Sequence, residues 1–182
     1  MKLRCSGRLL AAGLCSVLAG AGAAHAQVTE GIAVLYPTQG NQAHGTVIFR
    51  PTEKGVSLEV AIQGLPSGTK HGFHVHEFGD CSAPDAASAG PHYDPTNMLP
   101  GKHRHGMLPL GDLENLAAGA DGRVSAKFEA PKLSIAGAQN PILGRALVLH
   151  ATFADPKDPL GDAGDRIACG TIGVRNPQQP QN

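Results

Sequence analysis

Apolar and polar residues alternate along much of this chain over short distances. Residues 56–62 show the pattern most plainly, with Val56, Leu58, Val60 and Ile62 separated by smaller or more polar side chains. A period of two places all four on one face of a β-strand. Comparable short runs occupy residues 31–36, 43–50, 71–77, 113–117, 123–130, 146–151 and 167–174. Turn formers separate them: Pro37, Glu53-Lys54-Gly55, Leu65-Pro66-Ser67-Gly68 and Asp121-Gly122. No long helical periodicity competes, so the pattern predicts an all-β sandwich or barrel. Residues 131–144 fit either a helical turn or an irregular connection. Two stretches carry no strand pattern, residues 78–111 and 153–165. Loops this long within a compact domain point to function. There is no internal repeat and no sign of a second domain.

The first 26 residues read differently. Lys2, Arg4 and Arg8 precede an apolar run over residues 9–24, and Ala24-His25-Ala26 has the form of a cleavage site. This is the pattern of a secretory signal, and the run is too short and too rich in Ala and Gly for a spanning helix. The expected organisation is a signal over residues 1–26, one domain over 27–176 and a flexible tail over 177–182. Removing the signal removes three basic residues and no acid, leaving 12 basic against 15 acidic side chains. That balance gives no ground for a nucleic-acid partner, and no membrane contact is expected after signal removal. Cys5 and Cys15 leave with the signal. Cys81 and Cys169 remain, and two cysteines in an exported chain point to one disulfide.

Six of the nine histidines have the character of metal ligands: His74, His76, His92, His103, His105 and His150. His74 and His76 are two apart in an apolar run, so a strand would present both imidazoles on one side. Imidazole suits zinc, copper, iron and nickel, and the pair alone does not select among them. Surface pairs of this kind also occur without metal.

Four blocks together change the picture. GFHVHEFGDC (72–81), SAGPHYDP (88–95), LVLH (147–150) and GDAGDRIACGTIGV (161–174) occur in this order. With them the mature chain resembles the copper/zinc superoxide dismutase family, in its secreted bacterial branch. The resemblance implies an eight-stranded antiparallel Greek-key barrel with two long loops building a metal site. It implies copper held by His74, His76, His92 and His150, with His92 bridging to zinc. Arg166 matches the arginine at the mouth of the copper channel, where a guanidinium stays charged beside an anionic substrate. Cys81 and Cys169 match the family disulfide. Asp155 resembles the aspartate that links copper-side and zinc-side histidines by hydrogen bonds, with Asp158 as its rival. The implied reaction converts superoxide to dioxygen and hydrogen peroxide by alternate reduction and oxidation of copper. Arg166 and His92, which would gain and release a proton, are its catalytic residues.

Zinc is where the chain departs from the family. Asp112 matches the zinc aspartate, 20 residues after His92. The family's last zinc histidine would stand three residues before that aspartate, where this chain has Pro109. Lys102-His103-Arg104-His105 offers two imidazoles instead. The expected zinc set is therefore His92, His103, His105 and Asp112, three nitrogens and one oxygen. Two alternatives stand beside it: a copper-only dismutase with a degraded zinc site, and a non-enzymatic copper-binding protein of the same fold. The expected location is periplasmic or otherwise secreted. A homodimer is an assembly the resemblance allows.

Overall fold

The computed structural model describes residues 28, 30–95, 109–153, 163–176 and 178. The strands, in chain order, are β1 (Gly31–Pro37), β2 (His44–Pro51), β3 (Gly55–Gln63), β4 (Lys70–His71), β5 (Phe73–His76), β6 (Leu116–Ala117), β7 (Val124–Pro131), β8 (Ala146–His150) and β9 (Arg166–Val174). Every expected run contains a strand. Among the described residues the count is nine rather than eight because Gly72 interrupts one extended segment and divides β4 from β5. There the Gly72 N–H donates to Thr152 O and the His150 N–H donates to Gly72 O. A Cβ at Gly72 would lie 2.6 Å from Ala163 Cβ, so this crossing requires glycine.

Seven strands form one sheet in the order β5-β8-β9-β1-β2-β3-β7, and β4 pairs with β6. All these pairs are antiparallel. β1, β2 and β3 pair as consecutive hairpins, whereas β3–β7, β5–β8 and β1–β9 join strands distant in sequence. This is Greek-key wiring. The turn from β6 to β7 is closed by Gly119 N–H donating to Arg123 O. Together with the β4–β6 pair it brings the sheet round toward its own far edge.

Burial follows the predicted alternation where one face meets solvent. Val56, Leu58, Val60 and Ile62 of β3 are buried, and the residues between them are partly or fully exposed. They join Leu35, Phe49, Phe73, Leu147, Leu149 and Ile172 in the main core. β8 differs, since all five of its residues are buried. Leu147 and Leu149 face the main core, while Ala146 and Val148 pack with Ala86, Ala89 and Cys169 in a second cluster.

Residues 131–144 contain no helical turn; the helical piece among the described residues is a 3-10 turn at Ala87–Ala89. Leu133 and Ile135 are both buried, two apart, which is a strand period. Ser134 bridges Pro141, and Ile142 N–H donates to Ser134 O. Burying these alternate side chains in the same core as Ile142 favours this bridge over a helical turn. No helix among the described residues is long and apolar enough to cross a membrane.

Candidate metal centre

β5 organises the site. Phe73 and Val75 point into the core, so His74 and His76 share the opposite face. On one edge β5 pairs with β8, and on the other it receives two loop segments. His92 bridges His76, and Asp112 bridges His74. The loop segments are tied to each other as well: Val75 N–H donates to Gly111 O, Tyr93 N–H to Val75 O, and Gly111 N–H to Tyr93 O. A Cβ on Gly111 would lie 2.3 Å from Val75 O, so only glycine allows this approach. Tyr93 is fixed further by the Arg145 guanidinium, 3.6 Å from its ring centre, which also pairs with Glu77 at 2.9 Å.

These contacts gather four imidazoles. One nitrogen from each of His74, His76, His92 and His150 lies within 4.8 Å of the others. Three rings already use Nδ1. His76 Nδ1 donates to Gly90 O at 2.8 Å, and His150 Nδ1 donates to Gly164 O at 3.0 Å. His92 Nδ1 lies 2.7 Å from Asp112 Oδ1. Such bonds set the tautomer and leave Nε2 with its lone pair. His76 Nε2 and His150 Nε2 stand 3.3 Å apart. His74 is the exception. Its Nδ1 is buried without a hydrogen-bond partner among the described residues. A buried polar atom without a partner costs free energy unless something binds it.

Burial keeps the rings of His74, His76 and His150 neutral. It pushes the His74 and His76 pKa values down to about 2 and that of His150 to about 4, and the neighbouring imidazole of His92 adds to the shift for each. Neutral imidazoles are the form that binds metal. Four nitrogen donors with a buried, unpartnered atom among them fit copper.

Beside the cluster stands Arg166. Its Nη1 donates to Ala86 O at 2.6 Å and its Nη2 to Gly90 O at 2.7 Å. Burial lowers its pKa from the usual guanidinium value, against a small opposing effect of Asp85. Arg166 pairs with His150 while Ala168 pairs with Leu149, so Ile167 is an extra residue in β9. Such a bulge re-aims the side chain beside it. Cys81 and Cys169 form the disulfide, which spans 88 positions and ties the segment around Ala86 to β9.

Of the expected zinc donors, His92 and Asp112 are in direct contact, and the Asp112 side chain is 3 % exposed. His103 and His105 lie outside the described residues, as do Asp155 and Asp158, the signal over residues 1–26 and most of the tail. Pro109 supplies a carbonyl that accepts from Asp112 N–H. The sequence reading did not single out Gly90 and Gly164, whose carbonyls orient His76 and His150. Both are inside the quoted blocks and both have positive φ, near +74° and +72°. A glycine two residues before a ligand histidine, as in SAGPH, was the available signal.

Comparison with known proteins accords with this geometry. The family model for copper/zinc superoxide dismutase matches residues 43–172. The extracellular Cu-Zn superoxide dismutase of Brugia pahangi is 38 % identical over 79 % of this chain and 75 % of its own length. The Cu-Zn superoxide dismutase of Onchocerca volvulus is 35 % identical over 80 % of this chain and 96 % of its own. A crystal structure of a double mutant of a SOD-like protein from Bacillus subtilis superposes with a TM-score of 0.69 at 33 % identity, covering 78 % of this chain and 96 % of that one. The chain belongs to the copper/zinc superoxide dismutase family.

Proposed function

We propose that this protein is a superoxide dismutase, converting two superoxide ions and two protons to dioxygen and hydrogen peroxide. The observation that carries the reading is the unpartnered Nδ1 of His74 among three imidazoles whose Nδ1 atoms are engaged. Copper would be held by His74 through Nδ1 and by His76, His92 and His150 through Nε2. Copper held there would supply the one-electron redox chemistry that the disproportionation of superoxide needs. The chain's own residues do the rest. Arg166 holds a fixed positive charge beside the cluster and docks the anion. His92 would carry the proton it takes up and releases at Nε2; its Nδ1 stays on Asp112 in a copper-only form and would be the atom given to zinc in a two-metal form. The carbonyls of Gly90 and Gly164 hold the rings of His76 and His150 in one orientation.

For zinc, the proposed set is His92, His103, His105 and Asp112, with the His92–Asp112 contact as its support. A copper-only dismutase is the second reading, and the same contact is compatible with it. A carboxylate 2.7 Å from Nδ1 can orient His92 without a second ion. Export under the signal over residues 1–26, to the periplasm or beyond, is supported by the extracellular relative. The domain would run from 27 to 176, with 177–182 as a tail. Asp155, or else Asp158, is the proposed link between the two metal sides. A homodimer is an assembly this reading allows, to be checked by sedimentation.

Metal analysis with activity measurement tests the core of the reading. Wild type should bind one copper per chain, and one zinc if His103 and His105 serve. His74→Ala should lose copper and lower activity more than about 100-fold, beyond the usual cost of removing an outer partner of a metal ligand. Full activity of His74→Ala at matched copper content would defeat the assignment, and copper without zinc in fully loaded wild type would leave the copper-only form.

A further inference from the structure

The geometry points to Thr38 as a positioning residue for Arg166, with Asn41 behind it. This rests on the reading that Arg166 docks the anion. Thr38 is the first residue after β1 and is 9 % exposed. Its N–H donates to Ile167 O at 3.1 Å, and its Oγ1 donates to Arg166 O at 2.7 Å. Asn41 Nδ2 donates to Thr38 Oγ1 at 2.9 Å. A hydroxyl carries one proton. With the Asn41 amide donating into its oxygen, that proton is committed to the Arg166 carbonyl.

The place where these bonds fall gives them meaning. Ile167 is the extra residue of the bulge, so the ladder to β8 is broken beside Arg166. Bulges leave backbone groups unpaired and bend the strand. Thr38 supplies a partner to both carbonyls at that point, Arg166 and Ile167. The next residue continues the fastening: Gln39 N–H donates to Pro84 O at 2.8 Å. Pro84 is two residues from Ala86, whose carbonyl accepts from the Arg166 guanidinium. One turn, residues 38–41, thus fixes Arg166 at its backbone and braces the segment that holds its head group. Neither Thr38 nor Asn41 belongs to the imidazole cluster.

The function at stake is the distance between a fixed charge and the docked anion, because Coulomb attraction depends directly on separation. Thr38→Val keeps the shape, removes the donor and leaves a part-buried carbonyl without this partner. The probe is azide, a small monovalent anion, titrated optically into the copper-loaded protein at low salt. Superoxide turnover is measured on the same samples. Thr38→Val should bind azide about three- to ten-fold more weakly, the range set by one net hydrogen bond. Turnover should fall with it, while copper per chain stays that of wild type. Thr38→Ser, which keeps the oxygen, should recover most of the azide affinity. Asn41 is exposed, so Asn41→Ala is the variant to use if Thr38→Val does not fold; it should weaken azide about two-fold.

Arg166→Gln separates the two ideas. If it leaves azide affinity unchanged, the docking role of Arg166 is wrong and the inference goes with it. If Arg166→Gln weakens azide but Thr38→Val or, in its place, Asn41→Ala does not, the role of Thr38 alone is overturned. Loss of affinity in Thr38→Ser equal to that in Thr38→Val would also overturn it, because packing rather than the hydrogen bond would then be responsible.

Discussion

β3 and β8 are strands of one sheet that treat their two faces oppositely. β3 buries every second side chain and leaves Ser57, Glu59 and Ala61 at least partly accessible. β8 buries all five, because a loop pinned by the Cys81–Cys169 disulfide lies over its second face. The first arrangement makes a core and nothing more. The second creates a dry layer outside the core, and His150 stands at the end of it, beside His74 and His76. Stability and chemistry are therefore concentrated on different faces of the same sheet. Substitutions on the two faces should fail in different ways.

The largest effect is expected where the second face is pinned. Replacing Cys81 and Cys169 by Ser opens a closed span of 88 positions. The loss should be about 4 kcal/mol in a denaturant melt. Copper affinity should fall too, since the covering segment carries the Gly90 carbonyl. A variant that keeps wild-type copper affinity would show that the loop holds its place without the bond. On the other face, Leu58→Ala removes a fully buried side chain from the main core. It should cost about 3 kcal/mol, with activity per bound copper unchanged at a temperature where the variant is folded. Reduced activity per copper would mean that the two faces are coupled more tightly than their packing implies.

The smallest effect lies at the barrel end away from the metal. Glu30 pairs with both Arg175 and Arg50, and Arg50 also reaches Glu59. Burial works to raise the Glu30 pKa, but hydrogen bonds from Arg175 and Arg50 outweigh it and hold the carboxyl below its usual 4.5. A depressed carboxyl stabilises the fold above its unfolded-state value. That contribution disappears as the pH falls from about 4.5 through the lower folded-state value. Glu30→Gln should cost up to about 1 kcal/mol at pH 7. The difference from wild type should close on acidification over that window. A pH-independent difference would assign the effect to shape rather than charge.

How far the sequence reached differs between the same two faces. The strand positions were legible because β3, β7 and their neighbours bury alternate residues, and alternation can be read one residue at a time. The four imidazoles, Arg166 and the cysteine pair were legible because short blocks carry them. The region 131–144 was not resolved between two forms, since its buried residues follow a period of two only as far as Leu133 and Ile135. The choice of nitrogen on His76 and His150 was signalled only by the glycines in the quoted blocks. It depends on backbone carbonyls at Gly90 and Gly164, which any residue type possesses. Thr38 gave no signal either, because its role arises from a bulge 128 positions away.

The carbonyl oxygen of Gly90 accepts from both His76 Nδ1 and Arg166 Nη2. One atom therefore serves as a common datum for a metal ligand and for the charge that faces the substrate. The separation of those two nitrogens cannot exceed the sum of two hydrogen-bond lengths, whatever the rest of the loop does. Turning this carbonyl aside would release a ligand and a docking group in a single step.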